Sequence, residues 1–245
     1  MKSIGIIDSG LGGYTIYHQL HQLYPELSFT FIADQKNSPY GTKTLDQLME
    51  IGDRLCQFCL KHDILDVIVA CNTLSATVLK PLSLKYPQLQ LISIIDVTLA
   101  SLNDYAYQPQ SVTVIATEAT VKSGVYQSIL NQQYPSLDAK VAISYRLATL
   151  IEQLASDQEI QQELDTCLSD ESIVVLGCTH YPLVKHLLSG YIVIDALSNV
   201  GLLIDKLRYL PKGKSVVYTT SISEYLQKQI EILYKTKQTV KEVVL

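Results

Sequence analysis

Short apolar runs alternate with amphipathic stretches along the whole chain. Residues 3–8 (SIGIID), 28–34 (SFTFIAD), 66–71 (DVIVAC), 90–96 (QLISIID), 111–117 (SVTVIAT), 140–145 (KVAISY), 172–178 (SIVVLGC) and 191–196 (YIVIDA) each read as a strand. These runs are continuous rather than alternating. That predicts parallel strands buried on both faces, with helices covering them. Helical spacing appears between them: in 44–63 the apolar positions are Leu48, Ile51, Leu55, Phe58 and Cys59. A second helix is expected near YTIYHQLHQLYP, with His18 and His21 at its surface, and 215–233 should hold one more strand and helix.

Polar residues gather where the predicted strands end: Asp8–Ser9, Asp34, Cys71–Asn72–Thr73, Asp96, Thr117 and Cys178–Thr179–His180. Open parallel sheets bind ligands at the carboxyl ends of their strands. Helix capping accounts for a threonine or asparagine there, but not for a cysteine. The stretches VIVACNT and VVLGCTH share one register: apolar strand, small residue, cysteine, polar pair. They lie nearly half the chain apart, as expected of one α/β unit used twice. Two such lobes facing each other across a pseudo-twofold axis would bring Cys71 and Cys178 to one cleft.

Composition narrows the classes. The chain has 245 residues, 47% hydrophobic and 18% charged, which suits one large or two modest globular units. A net charge of −5 without a basic cluster argues against nucleic acid as a partner. No apolar stretch is long enough to span a bilayer, so no membrane partner is expected. The start MKSIGIIDSG lacks the apolar core of a signal peptide, so the expected location is cytoplasmic. The five cysteines, Cys56, Cys59, Cys71, Cys167 and Cys178, are an odd count and read as free thiols.

Two opposed thiols suit one reaction: removing a proton from one face of a tetrahedral carbon and returning a proton to the other. A thiol titrates close enough to neutrality for a hydrogen bond or dipole to tune it. His180 is near enough to Cys178 in sequence to assist it, and Asp8 ends a strand that could neighbour the Cys71 strand. Rival readings explain less. Cys56-x-x-Cys59 sits in a helical pattern and reads as core, with no second pair at zinc spacing. DSGLGGYT fails the dinucleotide fingerprint, since Thr15 stands where the last glycine belongs. Its glycines suit a tight turn whose free N–H groups could take a carboxylate. A cysteine hydrolase has no use for the second thiol. A non-catalytic binding relative has no use for either.

Five stretches carry a resemblance: IGIIDSGLGG, ADQKNSPYGTKT, VIVACNTLSA, VIATEATVKSGVY and VVLGCTHYPLV. In them the chain resembles the glutamate racemases, cofactor-independent enzymes of the Asp/Glu racemase superfamily that make D-glutamate for peptidoglycan. The resemblance implies an α/β fold of two similar lobes, each a mostly parallel sheet flanked by helices, with the active site in the cleft between them. One lobe would be 1–95 plus 209–245, the other 96–208. It implies Cys71 as the base acting on D-glutamate and Cys178 as the base acting on L-glutamate, assisted by Asp8 and by His180 with Glu152. Ser9, Pro39, Tyr40, Gly41, Asn72, Thr73, Thr117, Thr120 and Thr179 would hold the substrate. It implies no pyridoxal phosphate, no metal, and often a homodimer. The chain departs from the family at Asn37, where arginine is usual, at Ala116, in the segment leading to Glu152, and after Asp96. A related aspartate or broader amino-acid racemase, or a non-catalytic binding or regulatory relative, stays open as the alternative.

Overall fold

The computed structural model describes residues 2–104, 111–168 and 173–245; Ser172, the first residue of one predicted strand, lies outside the described residues. The described strands are β1 (Ile4–Asp8), β2 (Phe29–Ala33), β3 (Asp66–Val69), β4 (Gln90–Ser93), β5 (Ser111–Thr117), β6 (Asp138–Ser144), β7 (Ile173–Gly177), β8 (Ile192–Ile194), β9 (Val216–Thr219) and β10 (Val240–Glu242). The helices that matter for the site are α1 (Gly12–Leu23), α2 (Leu45–Lys61), α3 (Asn72–Thr77), α4 (Ile94–Ala100), α5 (Glu118–Lys122), α6 (Leu147–Glu152) and α7 (Ser223–Tyr234).

The strands form two sheets, ordered β10-β9-β2-β1-β3-β4 and β6-β5-β7-β8, and every pairing is parallel. β1, β2, β3 and β7 are buried along their whole length. That is why their sequences are unbroken apolar runs. β2-β1-β3-β4 and β6-β5-β7-β8 are the same arrangement, with the first strand of each set between the second and third. In each set the chain therefore reverses its direction of winding beside its first strand, where a crevice opens at the strands' carboxyl ends. β9 and β10 extend the first sheet at β2. Arg208, on the returning chain, binds Asp66 at the start of β3, Nε to Oδ1 at 2.7 Å.

Local signals explain the helices. Thr44 and Gln47 form a reciprocal cap at the start of α2. The α2 stripe of Leu48, Ile51, Leu55, Phe58 and Cys59 faces the core as its spacing predicts. Cys56 and Cys59 sit in that apolar cluster, and burial pushes the Cys56 thiol up to about 12.

Three expectations change. The run 90–96 is strand only to Ser93. Ser93 Oγ then accepts the Ile95 N–H and starts α4, so Asp96 lies exposed on a helix, paired with Lys206. A boundary between 95 and 96 falls inside that helix. His18 and His21 are half-buried rather than free at the surface: His18 packs on Tyr14 and Tyr234, and His21 stacks on Tyr17. These rings account for part of the chain's unusual tyrosine content.

Candidate active site

Asp8 ends β1 and is fully buried. The chain turns tightly around it, so that the N–H groups of Gly10 and Gly13 donate to Oδ2 at 3.2 and 2.8 Å. The next N–H, from Leu11, goes to Glu152 Oε2 at 2.9 Å. The Gly12 N–H goes to His180 Nε2 at 3.3 Å, so the glycine turn spends its donors on the protein's own side chains. The expectation that they stand free for a ligand is corrected. Burial drives the Asp8 carboxyl up to about 6, against the pull of His180 and the two glycine N–H groups.

β3, hydrogen-bonded beside β1, continues through Ala70 to Cys71, which caps α3. The nearby N–H groups of Leu74 and Thr73 lower its pKa, although its side chain makes no capping hydrogen bond. Burial, with the Asp8 charge adding to it, nevertheless holds this thiol well above its ordinary pKa. The group is a proton carrier rather than a thiolate at neutral pH.

The second sheet supplies the other side. Cys178 follows β7, and its Sγ lies 3.7 Å from His180 Nδ1. The ring's other nitrogen, Nε2, meets Glu152 Oε2 at 2.6 Å. Burial opposes charge on His180, but its bonds to Cys178 and Glu152 outweigh it and raise its pKa well above the ordinary value. Glu152 moves the other way: burial raises it, and bonds from His180, Gln35 and Leu11 bring it below its usual range. Glu152 and His180 are thereby held together behind Cys178, each shifted toward its charged form.

Glycine lets the halves meet. A methyl group on Gly12 would lie 2.5 Å from His180 Nδ1 and Thr179 Oγ1, and one on Gly10 would lie 2.7 Å from Glu152 Oε2. Thr179 Oγ1 donates across to Asp8 at 3.3 Å.

Cys71 and Cys178 line one cavity of about 20 Å³. Ser9, Pro39, Tyr40, Gly41, Asn72, Thr73, Thr117, Thr179 and His180 line it too. Thr120 stands behind this surface. Its hydroxyl closes a triangle with Thr73 and Thr117, with edges of 2.9 to 3.2 Å. Asp8 and Glu152 are likewise set back, touching the residues that line the cavity. Ser38 and Ala148 line the cavity without having been expected there. No lysine or arginine is among the lining residues, so an anion would be held by hydroxyls, amides and His180.

Two of the four departures, Asn37 and Ala116, have local explanations. Asn37 does not face the cavity; its amide donates to both oxygens of Asp34 at 3.0 and 2.9 Å. Asp34 also accepts from Tyr40 at 2.7 Å and Thr220 at 2.6 Å, and so anchors the Pro39–Gly41 segment. The Ala116 methyl would lie 3.0 Å from a methyl on Gly177, so β5 and β7 are packed to contact there. Among the described residues no cluster of His, Cys, Asp and Glu could hold a metal ion, and no helix is long and apolar enough to cross a membrane.

No protein-family model matches the sequence. Individual relatives do. The glutamate racemase of Limosilactobacillus reuteri (strain DSM 20016) is 33% identical over 190 residues, 75% of this chain and 70% of that protein. The glutamate racemase of Carboxydothermus hydrogenoformans is 37% identical over 185 residues, 73% and 68% of the two chains. The chain belongs to the glutamate racemase family.

Solved structures of the family share its fold. Glutamate racemase isoform RacE1 from Bacillus anthracis superposes with a TM-score of 0.89 at 23% identity, covering 100% of this chain and 98% of that one. The Francisella tularensis glutamate racemase, solved in complex with D-glutamate, gives 0.87 at 24%, covering 100% and 97%. Family membership makes the chain an isomerase with a two-lobed α/β fold.

Proposed function

We propose that this chain interconverts L- and D-glutamate without a cofactor, with Cys178 and Cys71 as the bases on opposite faces of the α-carbon. The observation that supports this most directly is that both sulfurs line one cavity, each delivered by the third strand of an identically ordered set.

In the L-to-D direction the Cys178 thiolate, beside the His180 imidazolium, takes the α-proton. The electron pair left on carbon delocalises into the substrate's α-carboxylate. The Cys71 thiol then gives its proton to the other face. Cys178 ends as thiol and Cys71 as thiolate, and exchange with solvent restores the start. Asp8 assists the Cys71 side, and Glu152 acts through His180. Ser9, Asn72, Thr73, Thr117 and Thr179 offer donors for the carboxylates and acceptors for the ammonium. Pro39–Gly41 form the wall, and Thr120 orients Thr73 and Thr117.

A cavity of about 20 Å³ has room for about one water, far less than glutamate. Substrate therefore enters as the two halves part. We assign these halves as 1–95 with 209–245 and 96–208, α4 forming the first crossing. The D-glutamate made would feed peptidoglycan synthesis in the cytoplasm.

The test is circular dichroism of L- and D-glutamate with purified protein and no added pyridoxal phosphate, with aspartate in parallel. Loss of optical rotation with glutamate from either side is expected. Loss with aspartate alone would reassign the substrate, and no change with either would remove the catalytic reading.

A further inference from the structure

Glu152 is held from several directions, and His180 supplies only one of them. Gln35, in the short turn after β2, donates from Nε2 to Glu152 Oε1 at 2.6 Å and to Gln229 Oε1 at 2.8 Å. Gln35 Oε1 in turn accepts from Thr219 Oγ1 at 3.0 Å. Gln229, on α7 and buried, donates from Nε2 to the Glu152 carbonyl at 2.5 Å. Tyr225, one turn earlier on α7, donates to the same carbonyl at 3.2 Å. All of these groups lie on parts of the chain that build or cover the first sheet, whereas Glu152 ends α6 beside the second.

Neither glutamine lines the cavity. Their amide orientations are dictated by their partners: an ionised carboxylate and a carbonyl only accept, so the NH2 group of each glutamine must face Glu152. Gln35 and the Leu11 N–H both donate to the Glu152 carboxyl, which favours its anion. An anionic Glu152 holds the shared proton on His180 Nε2, 2.6 Å away, although the Gly12 N–H also points at that nitrogen from 3.3 Å. His180 Nδ1 is then left to exchange a proton with Cys178.

We propose that Gln35 and Gln229 are positioning residues of the racemase: they clamp Glu152 so that it holds His180 with Nε2 protonated and Nδ1 turned to Cys178. This rests on the functional reading above. The bond from Gln35 also lowers the Glu152 pKa, as a donor to the charged form must.

The variants are Gln35→Met and Gln229→Met, which keep length but remove the amide. In Gln35→Met kcat should fall about tenfold, the effect of one hydrogen bond to a charged group, and in Gln229→Met, which loses a bond to a neutral carbonyl, about threefold to fivefold, with KM for glutamate little changed in either. The acid limb of the kcat–pH profile should move to higher pH in Gln35→Met, because Glu152 protonates more easily. Gln35→Asn, whose amide falls short by one methylene, should lie between. An independent readout is proton NMR of the free protein. The wild type should show a downfield, exchange-protected Nε2–H resonance of His180, identified by its loss in His180→Gln, and Gln35→Met should lose or broaden it. An unmoved acid limb together with an intact resonance in both methionine variants would overturn the clamp. If the wild type racemises no amino acid, the functional reading fails while the resonance still decides the clamp.

Discussion

Replacing Asp8 by asparagine should stabilise the protein while disabling it, and the gain should depend on pH. Burial lifts the Asp8 carboxyl from 3.8 to about 6. Between those values the native chain keeps a proton that the unfolded chain has released, so this group's contribution to stability falls as pH rises through the window. At about 1.4 kcal/mol per unit the full effect is about 3 kcal/mol above pH 6, of which about 2 kcal/mol accrues between pH 4.5 and 6. Asparagine carries no charge at any of these values. Its carbonyl oxygen, placed where Oδ2 stood, keeps the N–H bonds from Gly10 and Gly13, while the NH2 group that replaces Oδ1 forfeits the bond accepted from Thr179, at about 1 kcal/mol. The net is about 2 kcal/mol in favour of the variant at pH 7.5 and close to nothing at pH 4.5. For a chain of this size that is a rise of about 4 to 8 °C in Tm at the higher pH. Thermal unfolding followed by circular dichroism at both pH values, on both proteins, measures it. A variant whose advantage is the same at pH 4.5 and 7.5, or that is less stable at both, would refute the claim that Asp8 is held in the native state at a cost in stability. Turnover should fall by at least about a hundredfold, the usual scale for loss of an acid–base group.

Cys71→Ser and Cys178→Ser should each lower kcat by at least about a hundredfold, read by the same optical assay; full activity after loss of either thiol would contradict a base on each face. In deuterated water, wild-type product should carry deuterium at the α-carbon before the remaining substrate does, because the donor thiol exchanges with solvent. Gly12→Ala sets a methyl 2.5 Å from His180 Nδ1 and Thr179 Oγ1. It should prevent full closure and cut kcat about tenfold or more, whereas a twofold change or less would show that the halves need not approach so closely.

Much of this was legible in the chain because fully buried parallel strands write themselves as apolar runs, and whatever follows such a run lies at the mouth of the sheet. Asp8, Cys71, Thr117 and Cys178 were found that way. The same rule overran at Ile94–Ile95, where an apolar run turns from strand to helix without a change of polarity; the only local signal was Ser93, whose hydroxyl caps the helix. The glycine turn after Asp8 was legible as a turn, but the destination of its N–H groups was not, since Glu152 arrives from far along the chain. Gln35 and Gln229 gave no signal at all. A glutamine in a turn or a helix is ordinary, and only the packing of α7 against α6 reveals what these two face. Thr120 was named only through the resemblance, and its hydroxyl bonds to Thr73 and Thr117 rather than lining the cavity.

The repeated strand order has a kinetic corollary. The equilibrium constant for exchanging two mirror-image solutes is unity, so kcat/KM must be equal for the two directions whatever the catalyst. A scaffold whose two sheets repeat one strand order presents matched strand ends to a carbon that must be handled from either side. Yet its two sulfurs are attended by unlike groups, a carboxyl near one and an imidazolium near the other. Unequal kcat values are therefore permitted, provided each KM changes in proportion: the enantiomer that turns over faster must also be the one with the higher KM.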